Sequence, residues 1–349
     1  GMINTIIFPM IILTLAYLLY VLPFFLLHAL FTDSVIFKPV SLIPTLLVFA
    51  FLWLYLKTRN TSKMLKGVIY YGMGIGFLAL IILFLMMLLK IALGHDGTVT
   101  GWLAIGTLVG LVSLCIFNAN TLVVRKITLT SERLSRVRRL AFISDIHVGS
   151  NPPAHLGRIC QALAKLEFEY LFIGGDLFDS SDFRFGDIAA LGTIDANIYF
   201  VTGNHEGYVK GFKKHLARFH ELNIRVLENE AADLDGINLI GVSDEQPLAA
   251  RVEALDRFYR RDTFNIALVH QPSIWDRTRN RVDLMMCGHT HNGQIFPFNL
   301  LVRFQFRYVY GLFSEGSSRL YVSSGVGCWG PRMRLGSRNE IVLVELLPA

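Results

Sequence analysis

The chain has 349 residues, of which 53% are hydrophobic and only 17% are charged, and its net charge is +6. Soluble proteins usually carry about a quarter charged residues, so this composition argues against a wholly water-soluble chain. Lys and Arg are dispersed without a basic-aromatic repeat, so we expect no nucleic-acid partner. The four cysteines are far apart and form no CxxC pair, so the sequence predicts neither a zinc knuckle nor a disulfide framework.

The apolar residues are concentrated in four long stretches of the N-terminal third. A transmembrane helix needs about 20 mostly apolar residues. The sequence predicts four such helices, at about 6–31, 35–56, 67–93 and 102–124. We expect a transmembrane domain over 1–124, a basic linker over 125–139 and a second domain over 140–349.

Basic residues are unevenly divided between the two sides of these spans. The loop between the second and third helices contains four of them: Lys57, Arg59, Lys63 and Lys66. More basic residues follow the fourth helix, whereas the opposite side offers only Lys38 and Lys90. Because positive residues favour the cytoplasmic side, we expect a multi-pass inner-membrane protein whose second domain faces the cytoplasm, with the lipid bilayer as a partner.

From Leu140 onward, five apolar runs each end in residues of metal-ligand type. The runs are 140–144, 170–173, 198–201, 264–269 and 282–286, and helical stretches such as 154–165, 209–222 and 249–260 lie between them. This alternation is typical of β-α units around an open sheet, where ligands bind beyond the carboxyl ends of the strands. Seven side chains are therefore expected at one edge: Asp145, His147, Asp176, Asn204, His270, His289 and His291.

The chemistry of these seven side chains indicates metal binding. Carboxylate oxygens with imidazole nitrogens suit Mn, Fe or Zn and suit Ca poorly. Seven ligands are too many for one ion that keeps an open position, but they divide well between two divalent ions. A lone strand-end aspartate is more often a cap or turn residue, yet here histidines share the pattern. His95, in a predicted loop, and His155, on a predicted helix, fall outside it.

The ordered motifs D-x-H, G-G-D, G-N-H-E, H and G-H-T-H between Asp145 and His291 resemble the calcineurin-like metallophosphoesterase superfamily. The segments 321–327 and 340–346 look like its bacterial membrane-associated branch with N-terminal transmembrane helices. The resemblance covers about Leu140 to Leu347. It implies an α/β fold, a four-layer αββα sandwich, here preceded by a four-helix transmembrane region, and a dinuclear metal site.

The resemblance also implies a role for each residue of the motifs. It places Asp145, His147 and His291 at the first metal, Asn204, His270 and His289 at the second, and Asp176 as the bridge. His205 would be catalytic, donating a hydrogen bond or a proton to the departing oxygen. One residue departs from the branch, because Asn292 stands where glycine commonly follows the second histidine. This change leaves the ligands intact but affects the local turn.

These features predict a membrane-bound, metal-dependent phosphoric ester hydrolase, with manganese the most expected metal and iron or zinc as alternatives. We expect it to hydrolyse a phosphate ester or diphosphate in a lipid-linked substrate. The resemblance to the family, whose membrane-associated members include such enzymes, makes a nucleotide-diacyl-sugar pyrophosphatase the leading candidate, followed by a phospholipid headgroup phosphodiesterase. The alternatives are a phosphodiesterase for a soluble nucleotide-type substrate, merely anchored by the helices, and a non-catalytic membrane scaffold. The sequence leaves the exact substrate and the oligomeric state open.

Two features near the C-terminus each have two interpretations. Five arginines could bind a substrate diphosphate or form a basic face near anionic lipid: Arg303, Arg307, Arg332, Arg334 and Arg338. The aromatic segment 296–313 alternates with polar residues over 302–310, which predicts a half-buried strand. The alternative is that part of it contacts acyl chains or the bilayer surface.

Overall fold

The computed structural model describes residues 2–58, 62–94 and 96–349, so Arg59 and His95 lie outside the described residues. The chain divides into two compact units, Gly1–Ile116 and Phe117–Ala349.

The first unit consists of long apolar helices. The helices are α1 Met2–Leu15, α2 Leu22–Thr32, α3 Leu42–Thr58, α4 Lys63–Leu93 and α5 Gly97–Asn120, whose last turn belongs to the second unit. A π-helical turn, Ala16–Val21, continues α1 into α2. Among the described residues, four segments are long and apolar enough to cross a membrane: Ile6–Thr32, Pro39–Thr58, Lys63–Leu93 and Gly97–Asn120.

The second unit contains two six-stranded sheets. The first has the order β1 Leu122–Ser131, β12 Asn339–Pro348, β2 Arg138–Ile143, β3 Tyr170–Ile173, β4 Asn197–Phe200 and β5 Ile224–Val226. The second has the order β10 Gly311–Glu315, β11 Ser318–Val322, β9 Leu284–Cys287, β8 Phe264–Val269, β7 Ile237–Val242 and β6 Glu230–Asp233. Strands β2, β3 and β4 are parallel, as are β7, β8 and β9, so the carboxyl ends within each set share one edge.

Alternating side chains divide the second unit into four layers. In β2, Phe142 faces the second sheet and Ile143 faces an outer layer that contains α6, Pro153–Leu163. On the far side of the second sheet, Val269 packs in a core with α8, Leu248–Phe258, and α9, Trp275–Thr278. The remaining helices are the short α7, Phe212–Leu216, and α10, Phe298–Gln305. The predicted αββα sandwich is therefore confirmed.

Two segments differ from their sequence predictions. The fourth spanning helix ends at Asn120, and strand β1 occupies residues expected to form the end of that helix and the basic linker. In β1, Ile127 and Leu129 face the core while Lys126 and Thr128 are exposed, so Lys126 lies on the solvent-exposed face of an edge strand.

The half-buried strand predicted over 302–310, within the aromatic segment 296–313, is wrong. Residues Phe298–Gln305 form α10, and strand structure begins only at Gly311. The spacing of Phe298, Leu301 and Phe304 is that of one helix face, which competes with the alternation seen over 302–310. The helical stretch predicted over 209–222 is likewise reduced to α7 and flanking 3-10 turns.

Candidate metal centre

Every predicted ligand follows the carboxyl end of a parallel strand. Asp145 and His147 follow β2, Asp176 follows β3, Asn204 follows β4, His270 follows β8, and His289 and His291 follow β9. Two sheets thus deliver all seven side chains to one place. Asp145, His147, Asp176 and His270 are fully buried, whereas the other three are half-buried.

Three of these side chains form a first donor group. The Nε2 atoms of His147 and His291 lie 3.0 Å apart, and Oδ1 of Asp145 lies 3.8 Å from the first and 3.4 Å from the second. Nitrogens that both carry lone pairs repel at this distance unless a proton or a cation lies between them. The group therefore fits a metal ion of the kind that imidazole and carboxylate bind.

A second donor group surrounds Nε2 of His270. This nitrogen lies 3.1 Å from Oδ1 of Asn204, 3.2 Å from Nδ1 of His289 and 3.1 Å from Oδ2 of Asp176. The same Asp176 oxygen is 3.7 Å from Nε2 of His147 in the first group. Asp176 thus lies between the two groups, where a bridging carboxylate has to be.

The protonation of two histidines suits metal binding as well. Burial lowers the pKa of His289 to about 4 and the pKa of His291 to about 3. Both rings are therefore neutral near pH 7, and the neutral imidazole is the form that binds a metal.

The backbone of the centre is held in a conformation that most residues avoid. Five of the seven predicted ligands have positive φ angles: Asp145, His147, Asp176, His289 and His291, with values from 50° to 74°. Such residues persist only where the surrounding structure enforces them, and they concentrate at functional sites. Asn292 also has a φ of 50°. Asparagine tolerates this left-handed conformation better than most residues, so it can replace the glycine usual in the resembled branch.

Two glycines of the motifs permit close packing around the carboxylates. A Cβ atom at Gly203 would collide with the side chain of Asp176, and one at Gly288 would collide with those of Asp145 and Ser144. The glycines in G-N-H and G-H-T-H are therefore needed for space beside the acidic ligands.

Glu206 holds the ligand loops together. Its Oε1 accepts hydrogen bonds from the backbone N–H groups of Leu177 and Phe178, and its Oε2 accepts from those of Asp176 and Gly203. The side chain is fully buried. The sequence alone indicates that Glu206 lies near the site and either begins a helix or supports the ligands, and its position in the motif G-N-H-E is the signal for this.

Glu206→Gln is expected to destabilise the second unit. Whichever way the glutamine amide points, its NH2 group would face two backbone N–H donors that then lose their acceptor. Two unsatisfied buried donors cost about 2 kcal/mol or more, which lowers the melting temperature by roughly 4–8 °C for a unit of this size. Thermal unfolding of the detergent-solubilised chain measures this shift. Glu167→Gln is the control, because the Glu167 side chain is 88% exposed and its substitution should leave the melting temperature unchanged.

His205 lies at the open side of the centre. Its backbone N–H donates to Oδ1 of Asp176 over 2.9 Å, and its Nε2 lies 3.9 Å from Oδ2 of the same residue. The side chain is 20% exposed and contacts the rings of Tyr208 and Trp329. Burial lowers the pKa of His205. The ring is therefore next to the predicted metals and still reachable from outside.

The sequence indicates the same two alternatives for Asp179, a residue that begins a helix or one that supports the ligands. Its Oδ2 lies 3.1 Å from Nδ1 of His147, and its carboxylate accepts hydrogen bonds from Ser150. A carboxylate beside Nδ1 favours the tautomer whose Nε2 lone pair is free for a metal. Asp179 therefore orients His147.

The side chain of Arg334 is engaged inside the protein. It is fully buried, and its guanidinium donates to the backbone oxygens of His291, Ser324 and Gly327 and to the side chain of Asn339. These bonds fix the loop beside the first donor group. Arg332 and Arg338 donate to Asn120 and Thr121, respectively. Arg303 and Arg307 are exposed.

Comparison with known proteins relates the chain to metallophosphoesterases. The calcineurin-like phosphoesterase family matches residues 138–293. An uncharacterized metallophosphoesterase of Helicobacter pylori is 34% identical over 229 residues, which are 62% of this chain and 62% of that protein. The chain thus spans less than two thirds of the length of that relative.

Two further relatives are similar at the same level. A transmembrane protein with metallophosphoesterase domain of Danio rerio is 31% identical over 233 residues, covering 60% of this chain and 53% of that protein. Phosphodiesterase YaeI of Escherichia coli is 31% identical over 235 residues, covering 60% of this chain and 82% of YaeI. Since the family match includes all seven converging side chains and most of YaeI is aligned, the chain belongs to the calcineurin-like phosphoesterase family.

Proposed function

We propose that the protein is a metal-dependent hydrolase of a phosphate ester or diphosphate bond in a lipid-linked substrate. The observation that carries this proposal is the position of Asp176 between two donor groups. Enzymes commonly use a pair of divalent cations to stabilise the attacking and leaving oxygens in a displacement at phosphorus. The proposed reaction is of the class that the name of the Escherichia coli relative, phosphodiesterase YaeI, gives. The leading candidates are a nucleotide-diacyl-sugar pyrophosphatase and a phospholipid headgroup phosphodiesterase.

The residues of the centre would have different roles in such a reaction. His147, His291 and Asp145 would hold one cation, with Asn204, His270 and His289 at the other and Asp176 between them. The cations, for which we propose manganese with iron or zinc as alternatives, would supply Lewis acidity toward water and the phosphoryl oxygens. His205 would donate a proton to the departing oxygen. Asp179 and Glu206 would keep the ligands in position.

The lipid-linked substrate is supported by the first unit. One spanning helix is enough to anchor a domain, whereas this chain has four segments long and apolar enough to cross a membrane. We propose that the substrate is drawn from the leaflet, that the protein is a multi-pass protein of the inner membrane, and that the second unit faces the cytoplasm. The orientation is supported by the basic residues Lys57, Lys63 and Lys66 between the second and third spans.

The proposed orientation is tested with a fluorescent protein that fluoresces only in the cytoplasm. When it is fused to the C-terminus, we expect the cells to fluoresce.

The substrate class is tested with the full chain in nanodiscs, loaded with Mn²⁺. The assay compares a nucleotide-diacyl-sugar, a phospholipid diester and a soluble cyclic nucleotide at matched concentrations. We expect kcat/KM to be at least about tenfold higher for a lipid-linked substrate, equivalent to 1.4 kcal/mol of added stabilisation. EDTA should abolish the hydrolysis, and Mn²⁺ should restore it.

The other outcomes decide between the rivals. Faster hydrolysis of the cyclic nucleotide would support a soluble-substrate phosphodiesterase that is merely anchored. A chain that binds metal but hydrolyses none of the three, nor a simple aryl phosphodiester, would support a non-catalytic scaffold.

A further inference from the structure

Helix α10 exposes an unusual amount of apolar surface. None of its residues is buried. Phe304 is 89% exposed and Leu301 is 58% exposed, and Phe298 and Leu300 are exposed beside them. Exposed apolar patches of this kind mark contact with a partner or a membrane rather than the ordinary surface of a soluble domain.

This apolar surface continues to the candidate metal centre. Gln294, which lies between His291 and α10, donates to the backbone oxygen of Trp329 over 3.0 Å and accepts from its N–H over 3.0 Å. The Trp329 ring is 43% exposed and lies 6.1 Å from the ring of His205. We name as the α10 surface the exposed side chains Phe296, Phe298, Leu300, Leu301, Phe304 and Trp329.

The charges around the α10 surface favour lipid over protein as its occupant. The segment 296–313 contains no acidic residue, and its two charged residues, Arg303 and Arg307, are both exposed. Of these, Arg307 forms an ion pair with Asp276 over 3.3 Å. Aromatic and leucine side chains next to arginines are the composition of helices that lie in the headgroup region of anionic membranes. The long arginine side chains can reach phosphates while the rings enter the acyl boundary.

The unit that contains this surface is also covalently joined to the apolar helices of the first unit. The same chain carries four segments long and apolar enough to cross a bilayer. An interfacial helix on a covalently tethered unit needs little additional affinity, because the tether keeps its effective concentration at the membrane high.

We propose that the α10 surface is a membrane-docking site that enters the headgroup–acyl boundary of an anionic leaflet and presents the His205 side of the metal centre to it. This inference goes beyond the proposed function, since docking would occur whichever phosphate ester is hydrolysed. It also gives a physical reason for the exposure of Phe304.

The proposal is tested by placing a fluorescent label at position 304 of the full chain. The free cysteines Cys115, Cys160, Cys287 and Cys328 are all buried, so a thiol-reactive NBD label should react selectively with Phe304→Cys. The labelled chain is placed in nanodiscs that contain phosphatidylglycerol. We expect a blue-shifted emission that is quenched by doxyl-labelled lipids and protected from a water-soluble nitroxide.

Lys165→Cys provides the matched control. Lys165 is exposed and precedes the amino end of β3, at the sheet edge opposite the metal centre. Its label should be quenched by the water-soluble nitroxide alone. Leu301→Cys serves as a second position on the α10 surface in case Phe304→Cys folds poorly, and metal content reports folding for each variant.

Two results would overturn the proposal. If the label at 304 behaves like the label at 165, the α10 surface faces water. If neither quencher reaches it, protein covers the surface, and a partner chain or a second copy is its occupant.

Discussion

Asp176→Asn is expected to abolish the two-metal centre while leaving the fold intact. Asparagine has nearly the shape of aspartate but lacks the charge, and the replaced Oδ2 lies within 3.7 Å of His147 Nε2 and 3.1 Å of His270 Nε2. Without a bridging carboxylate, two cations held close together would repel each other with little compensation. We expect at most one cation per chain and a loss of activity of about a thousandfold, the upper range for losing one electrostatic stabiliser.

Metal analysis by mass spectrometry and initial rates on a lipid-linked substrate measure the two effects. Asp195→Asn is the matched control, because Asp195 is exposed at the amino end of β4, far along the strand from the ligands. It should keep both metals and full activity. Undiminished metal content in Asp176→Asn would rule out Asp176 as the bridge.

The position of the centre could be predicted from sequence because its chemistry is tied to strand ends. Apolar runs predicted β2, β3, β4, β8 and β9, and the order of residues after each run predicted which side chains meet. The parallel arrangement follows from the helices between the runs, and parallel strands bring their carboxyl ends to one edge. The seven side chains therefore converge, although their distances and strained φ angles depend on contacts that no local pattern shows.

Other features could not be predicted, since they depend on tertiary contacts. Arginine is most often a surface residue, yet Arg334 is fully buried, and five backbone and side-chain oxygens accept hydrogen bonds from it. Strand β1 was missed because its partner β12 lies more than two hundred residues away in the chain. Helix α10 was not predicted because a helical spacing and a strand-like alternation overlap in the same aromatic segment. The sequence pattern alone does not distinguish them, since the outcome depends on tertiary contacts.

His205→Ala is expected to keep the metals but lose turnover. None of the contacts that define the two donor groups uses the His205 ring, whose Nε2 is 3.9 Å from Oδ2 of Asp176. The Asp176 carboxylate accepts from the backbone N–H of His205, and alanine retains that N–H. Loss of a general acid typically costs about a hundredfold or more in rate. We therefore expect kcat to fall by about this factor at unchanged metal content.

The dependence on the leaving group distinguishes proton donation from a structural effect. A p-nitrophenyl ester has a leaving group that needs little protonation, so His205→Ala should affect its hydrolysis much less than that of an alkyl or sugar phosphate ester. His220→Ala is the control, because His220 is exposed and its ring forms a hydrogen bond with the backbone oxygen of Ala217, away from the metal ligands. An equal loss on both types of ester would show that His205 positions the centre instead of donating a proton, since only proton transfer discriminates between leaving groups.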